Sequence, residues 1–284
     1  MSATAHHSDE RSLDEAAESI RRVGGDGPRP LAIVTGTGLA GLAGALSIEH
    51  RIAADAIPHL PRPAVMGHTG DVLLGQLGPL ATLFFCGRVH LYEGWTPQEV
   101  VFATCLAARL GAKILLVTNA TGGINPLLAP GDLVLLTNQI NLTFHRRTGC
   151  QPVPSSFRSA ANSPYDPRLS VLLREAAQHE KINLKEGIYA GNLGPNYETR
   201  AESAFLARIG ADVVGMSTVA EVTVAHSIGL RAVGVSCVAN RVPMWGHVST
   251  LTHCAVVACV ESAVERLKRL ILRWSGMVAD DANR

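Results

Sequence analysis

The chain has 284 residues, of which 47% are apolar and 17% charged, and its formal net charge is +1. Such a composition excludes disorder, and without clustered basic charge there is no footprint for a nucleic acid, so any bound anion should be small. The polar start (HHSDERSLDEAAE) lacks the basic-then-apolar order of a secretory signal, and charge or glycine interrupts every apolar run before about 18 residues, so a cytoplasmic protein without a membrane span is expected.

In chain order, residues 1–28 form a polar N-terminal segment with a helix over Ser12–Val23, and residues 29–284 form one α/β domain. Short β-branched runs closed by glycine or polar residues predict strands at Ala32–Thr35, Asp71–Leu77, Ala81–Cys86, Lys113–Asn119, Asp132–Thr137, Gly187–Gly191, Val213–Gly215 and Arg231–Val238. Helical periodicity between them predicts helices at Thr96–Leu110, Pro167–His179, Ala201–Ile209, Val219–Ile228 and Leu251–Trp274. Thr96 with Pro97 and Glu99 has the spacing of a capping box, and Gly111 stops that helix. The run ILLVTNA is apolar on both faces and belongs inside a parallel sheet. The expected fold is therefore a single α/β domain with a mixed, largely parallel central sheet flanked by helices. The stretch from His145 to Pro167, with four prolines, reads as a long functional loop. Six cysteines without a CxxC pair read as reduced thiols, so no structural metal or disulfide frame is expected.

After the first strand comes Gly36-Thr37-Gly38-Leu39-Ala40-Gly41, a literal G-x-G-x-x-G, with Glu49 further on as a candidate ribose-binding acid. Only four residues separate Gly41 from the strand-like run at Leu46, too few for the crossover helix of a dinucleotide-binding unit. What remains is a glycine turn offering backbone N–H groups and the Thr37 hydroxyl to a small anion, or a plain tight turn.

Four further segments join polar side chains to strand ends: Gly67-His68-Thr69-Gly70, the run from Gly87 to Gly94, the run from Thr118 to Gly123, and the run from Gly194 to Thr199. Arg88 and His90, two apart after a buried strand, can converge on a phosphate-sized anion; singly, they read as a surface ion-pair residue and a structural histidine. Glu198 beside Tyr197 suits a planar heterocycle, although Glu198 could equally cap the helix that follows. Asn240, just past the last predicted strand, is either an amide partner on the same edge or an ordinary turn residue.

From about Leu31 to Ala263, the ordered blocks GTGLAGL, PHLPRPAVMGHTG, GRVHLYEG, TNATGGINP, GPNYETRAE, GADVVGMSTVAEV and SCVAN resemble the trimeric, low-molecular-mass purine nucleoside phosphorylases, a family that includes methylthioadenosine phosphorylases. The resemblance implies phosphorolysis of a purine nucleoside, with orthophosphate as co-substrate and no cofactor or metal. It also implies roles: Thr37, His68, Arg88, His90, the Ala120 backbone and Ser217 for phosphate; Tyr92, Met216 and His253 for ribose; Tyr197, Glu198 and Asn240 for the base. His90, Glu198 and Asn240 would carry the catalysis. A homotrimer is implied as well, with an aromatic residue from a neighbouring subunit, for which Phe157 is the candidate. Glu198 with Asn240 matches the inosine and guanosine branch, because the methylthioadenosine enzymes use an aspartate and a serine there. Thr37 stands where serine is common, Thr121 replaces a usual alanine, Arg241 replaces a smaller side chain or lysine, and VPMWGHVST departs enough from the family that His247 rivals His253. The other readings are a methylthioadenosine phosphorylase, a hydrolytic nucleosidase and a non-catalytic nucleoside-binding protein.

Overall fold

The computed structural model describes residues 3–65, 67–143, 163–242 and 253–282. Its strands are β1 (Leu31–Val34), β2 (Ser47–Ile52), β3 (Val72–Leu77), β4 (Leu80–Phe85), β5 (Ile114–Gly123), β6 (Leu133–Asn141), β7 (Leu184–Gly191), β8 (Val213–Gly215) and β9 (Arg231–Arg241). Its α-helices are α1 (Ala3–Gly24), α2 (Pro97–Val100), α3 (Phe102–Arg109), α4 (Pro167–His179), α5 (Arg200–Arg208), α6 (Val219–Ser227), α7 (His253–Glu261) and α8 (Val264–Ala282).

The sheet runs β2-β3-β4-β1-β5-β8-β7-β6-β9, and a further β5–β9 pairing closes its second half on itself. β1 pairs parallel with β4 and β5, β5 with β9, and β7 with β6 and β8. β2–β3, β3–β4, β5–β8 and β6–β9 are antiparallel, so the sheet is mixed, as expected. β5 thus joins an open arm to a closed ring, and its C-terminal end opens between them.

Alternation along β1 and β5 divides the core. Ala32, Val34, Leu115 and Val117 face one apolar cluster, whereas Leu31, Ile33, Ile114 and Leu116 face the other. α1, α3 and α6 cover the first face, and α1 contributes Leu13, Ala16, Ala17 and Ile20 to it. α4 and α8 cover the second, where Leu267, Leu270, Ile271, Trp274 and Val278 form one buried stripe. The Trp274 indole donates to the Leu169 carbonyl at 3.2 Å, tying α8 to α4.

Several boundaries differ from the sequence expectation. The helix predicted over Thr96–Leu110 is split at Val101, whose φ of −96° and ψ of 2° leave the α region, although Thr96 and Glu99 do form the capping box. The predicted Leu251–Trp274 helix is two helices, interrupted between Glu261 and Val264. β5 runs on past Asn119, where the predicted strand ends, through Ala120, Thr121, Gly122 and Gly123, because β9 pairs with it throughout.

Candidate active site

At the C-terminal end of β5 lies a cleft lined by Gly36, Thr37, Arg88, His90, Tyr92, Ala120, Met216, Ser217, Tyr197, Glu198 and Asn240, among others. Its empty space, counted out into the open mouth, is about 720 Å3. Ten predicted site residues therefore meet in one place. His68 stands behind Thr37. His253 begins α7, and the descriptions of its side chain, of His247 and of Phe157 lie outside the described residues.

The glycine turn after β1 is forced by close approach: a Cβ on Gly36 would lie 2.7 Å from the Asn119 Cα and 2.8 Å from the Thr118 carbonyl oxygen. Thr37 is thereby brought to the end of β5. The backbone N–H of Arg88 donates to His68 Nδ1 at 3.0 Å, so that nitrogen carries the lone pair. His68 Nε2–H is then the donor across 3.0 Å to Thr37 Oγ1, and the Thr37 hydroxyl proton is left for the cleft.

Arg88 is 5% exposed. Its Nη1 donates to Ser217 Oγ at 3.0 Å and reaches Thr218 Oγ1 at 3.3 Å, and Nη2 donates to the Val34 carbonyl at 3.0 Å. Its Nε lies 3.2 Å from Glu221 Oε1 in an ion pair whose side chains are 2% and 3% exposed. Glu221 was missed at the sequence level; the available signal was a lone acid in the apolar run VAEVTVA. Because Arg88 is buried and fixed from several sides, it is not the surface ion-pair residue of the alternative reading.

His90 Nδ1 meets Glu93 Oε1 at 2.8 Å, and the same carboxylate accepts the His90 and Ala64 backbone N–H groups. Burial pushes the Glu93 carboxyl upward, but the hydrogen bonds from His90 and Ala64 outweigh it, so its pKa lies below the ordinary value. With Nδ1 committed to Glu93, Nε2 is the His90 nitrogen available to a ligand. The Tyr92 ring stacks on His90, centroids 4.8 Å apart. Burial, with Glu93 and Tyr197 nearby, pushes the Tyr92 phenol to about 12, so it stays a neutral hydrogen-bonding group.

Across the cleft, Gly194 holds φ +78°, and a Cβ there would strike the Met216 sulfur at 2.5 Å and Tyr92 Cδ1 at 3.0 Å. Only glycine permits that packing, and it sets the start of the Tyr197–Glu198 segment. Thr199, not Glu198, caps α5, forming a capping box with Glu202. Glu198 is left free of that duty; its Oε1 accepts from Asn192 Nδ2 at 2.9 Å, leaving Oε2 for a ligand. Tyr197 is 46% exposed at the mouth, an aromatic face open to stacking. Asn240 lies within β9, opposite Gly122 of β5, rather than past the strand.

Glu49, the ribose-binding acid of the dinucleotide reading, sits on β2, paired with Arg29 at 3.2 Å and Gln76 at 2.9 Å. Among the described residues, no group of three His, Cys, Asp or Glu side chains is placed to hold a metal, and no helix is long and apolar enough to cross a membrane.

Comparison with known proteins shows which family the chain belongs to. The sequence profile of the phosphorylase superfamily matches residues 30–274. Purine nucleoside phosphorylase 1 of Bacillus subtilis (strain 168) is 36% identical over 235 residues, covering 80% of this chain and 84% of that protein. The purine nucleoside phosphorylase of Mus musculus is 35% identical over 251 residues, covering 85% and 86%. The crystal structure of Schistosoma mansoni purine nucleoside phosphorylase in complex with adenosine superposes with a TM-score of 0.84 at 30% identity, over 93% of this chain and 96% of that one. Isoform 2 from the same organism, in complex with cytosine and ribose-1-phosphate, gives 0.81 at 33% identity over 93% and 95%. Sequence and fold agree over most of the length, and the chain belongs to the phosphorylase superfamily and, within it, to the purine nucleoside phosphorylase family.

Proposed function

We propose that the protein is a pentosyltransferase that cleaves 6-oxopurine nucleosides such as inosine and guanosine, including deoxyribonucleosides, with orthophosphate. The C1′–N9 bond breaks, a C1′–O bond to phosphate forms, and the products are free base and (deoxy)ribose 1-phosphate. One observation carries this reading: a single cleft holds a floor of hydrogen-bond donors around buried Arg88 and a mouth with Tyr197, Glu198 and Asn240. An anion on that floor, held by Thr37, Arg88, Ser217 and the Ala120 backbone with His90 beside it, faces a base at the mouth.

The chemistry follows from charge. Bond cleavage builds positive charge on the ribose, so a phosphate dianion beside it stabilises the transition state more than the ground state. The departing purine gains negative charge, which the Asn240 amide meets at N7. Glu198 Oε2 accepts from N1–H of a 6-oxopurine, and from the 2-amino group of guanine. Adenine presents an acceptor at N1, so two acceptors would face each other. Tyr92, Met216 and His253 line the ribose, and no cofactor is required. The Schistosoma complex with adenosine shows that a relative holds a 6-aminopurine nucleoside, which makes the preference of this chain a matter for direct assay.

The same reading gives a homotrimer in which Phe157 of a neighbouring subunit closes the site. Light scattering at working concentration should give three times the 30.0 kDa chain mass; a monomer would remove this part. The reaction is tested by phosphorus NMR of inosine turnover: ribose 1-phosphate must form in step with hypoxanthine. Free ribose would make the protein a hydrolase, and binding without turnover a nucleoside-binding protein.

A further inference from the structure

Ser217 serves an anion as a donor only if its hydroxyl proton faces the cleft, and the buried side chains beneath it decide whether it does. Ser236 Oγ donates to Asn119 Oδ1 at 2.6 Å, and Asn119 Nδ2 donates to Thr218 Oγ1 at 2.8 Å. Arg88 Nη1 reaches the same Thr218 oxygen at 3.3 Å. With both lone pairs occupied, Thr218 must be the donor in its 3.2 Å contact with Ser217 Oγ. Ser217 Oγ also accepts from Arg88 Nη1 at 3.0 Å, so its own acceptor capacity is used and its proton is left to donate, either to the buried Tyr189 hydroxyl beside it or to an anion in the cleft, which is the stronger acceptor. Asn119, Thr218 and Ser236 are 2%, 1% and 0% exposed, so water does not compete for these bonds.

The backbone shows how firmly this arrangement is imposed. Thr218 holds φ +70° and ψ −50°, a rare conformation for a β-branched residue, and the Val219 N–H closes a tight three-residue turn onto the Ser217 carbonyl at 2.7 Å. That turn brings the Thr218 hydroxyl between Asn119 and Arg88.

We propose that Asn119 is a positioning residue that sets the polarity of the chain Ser236–Asn119–Thr218–Ser217, making the Ser217 hydroxyl a donor to the bound anion. The amide is the only member whose two ends differ chemically, so its orientation fixes the direction of each hydroxyl after it. The inference deepens the phosphate reading above and rests on it.

The test is steady-state phosphorolysis of inosine with inorganic phosphate varied, on the full chain. Asn119→Asp presents acceptors on both sides and turns the Thr218 proton away from Ser217; Asn119→Leu removes the donor without adding charge. Each should raise the KM for phosphate about tenfold or more and leave the KM for inosine within about twofold. An effect in Asn119→Asp alone would be charge repulsion and would overturn the proposal, as would an unchanged phosphate KM in both. Thr218→Val should raise the same constant, and Thr218→Ser, which keeps the hydroxyl, should recover most of the difference; equal defects in the two would refute the relay. Should the Asn119 variants fail to fold, the Thr218 pair decides the matter. Arg88→Ala separates the two levels: if it leaves the phosphate KM unmoved, the phosphate reading itself has failed, and if it raises that constant while the Asn119 and Thr218 variants do not, only the relay has.

Discussion

Replacing Glu221 by glutamine keeps the shape of the side chain and removes one charge from a pair separated by 3.2 Å, with both side chains 3% exposed or less. At an effective dielectric of roughly 20, that attraction is worth about 5 kcal/mol. Desolvation of the two ions offsets part of it, and breaking a buried pair by deleting one partner typically costs about 3–5 kcal/mol because the other charge stays buried. We therefore expect Glu221→Gln to lose about 3 kcal/mol, read as a urea midpoint about 1 M lower in phosphate-free buffer. Phosphate bound at Arg88 would replace the missing counter-charge, so saturating phosphate should raise the midpoint of the variant more than that of the parent. A midpoint within about 0.2 M of the parent, or an equal phosphate response in the two proteins, would refute this account of Arg88.

Glu198→Gln should lower kcat/KM for inosine by about a hundredfold or more without moving the melting temperature, since Glu198 does not cap α5; near-parental activity would remove it from base binding. Glu93 has a lowered pKa in the folded protein, so its contribution is present above the ordinary carboxylate value of about 4.3 and is lost as pH falls through the lower folded value. The stability gap between the parent and Glu93→Gln should accordingly be full near neutrality and shrink below about pH 4; a gap that widens in acid would contradict the sign. His253→Ala should lose its advantage for inosine over 5′-deoxyinosine while His247→Ala keeps it, and the reverse would transfer the 5′-hydroxyl contact to His247.

Where local chemistry decides structure, the sequence was legible. Thr96–Glu99 and the strand LAIV needed no tertiary knowledge, because a capping side chain or an all-apolar run admits few alternatives. The edge strand β2, SIEHRI, showed only as a strand-like run at Leu46, because it is exposed along most of its length and offers periodicity little buried face to reveal. Nor could pattern show that β5 continues through Gly122-Gly123, since pairing with distant β9 holds it extended. In the site, Arg88, His90 and Glu198 stood out by residue type and strand-end position. Glu221 and the buried amide of Asn119 did not, because their meaning lies in partners far along the chain.

The central claim is that an anion floor and a 6-oxopurine mouth share one cleft, and the most direct measurement is base release from inosine, guanosine, adenosine and methylthioadenosine, each with and without phosphate. The account predicts release from inosine and guanosine only, and only with phosphate. Release without phosphate, or release from methylthioadenosine at a comparable rate, would contradict it.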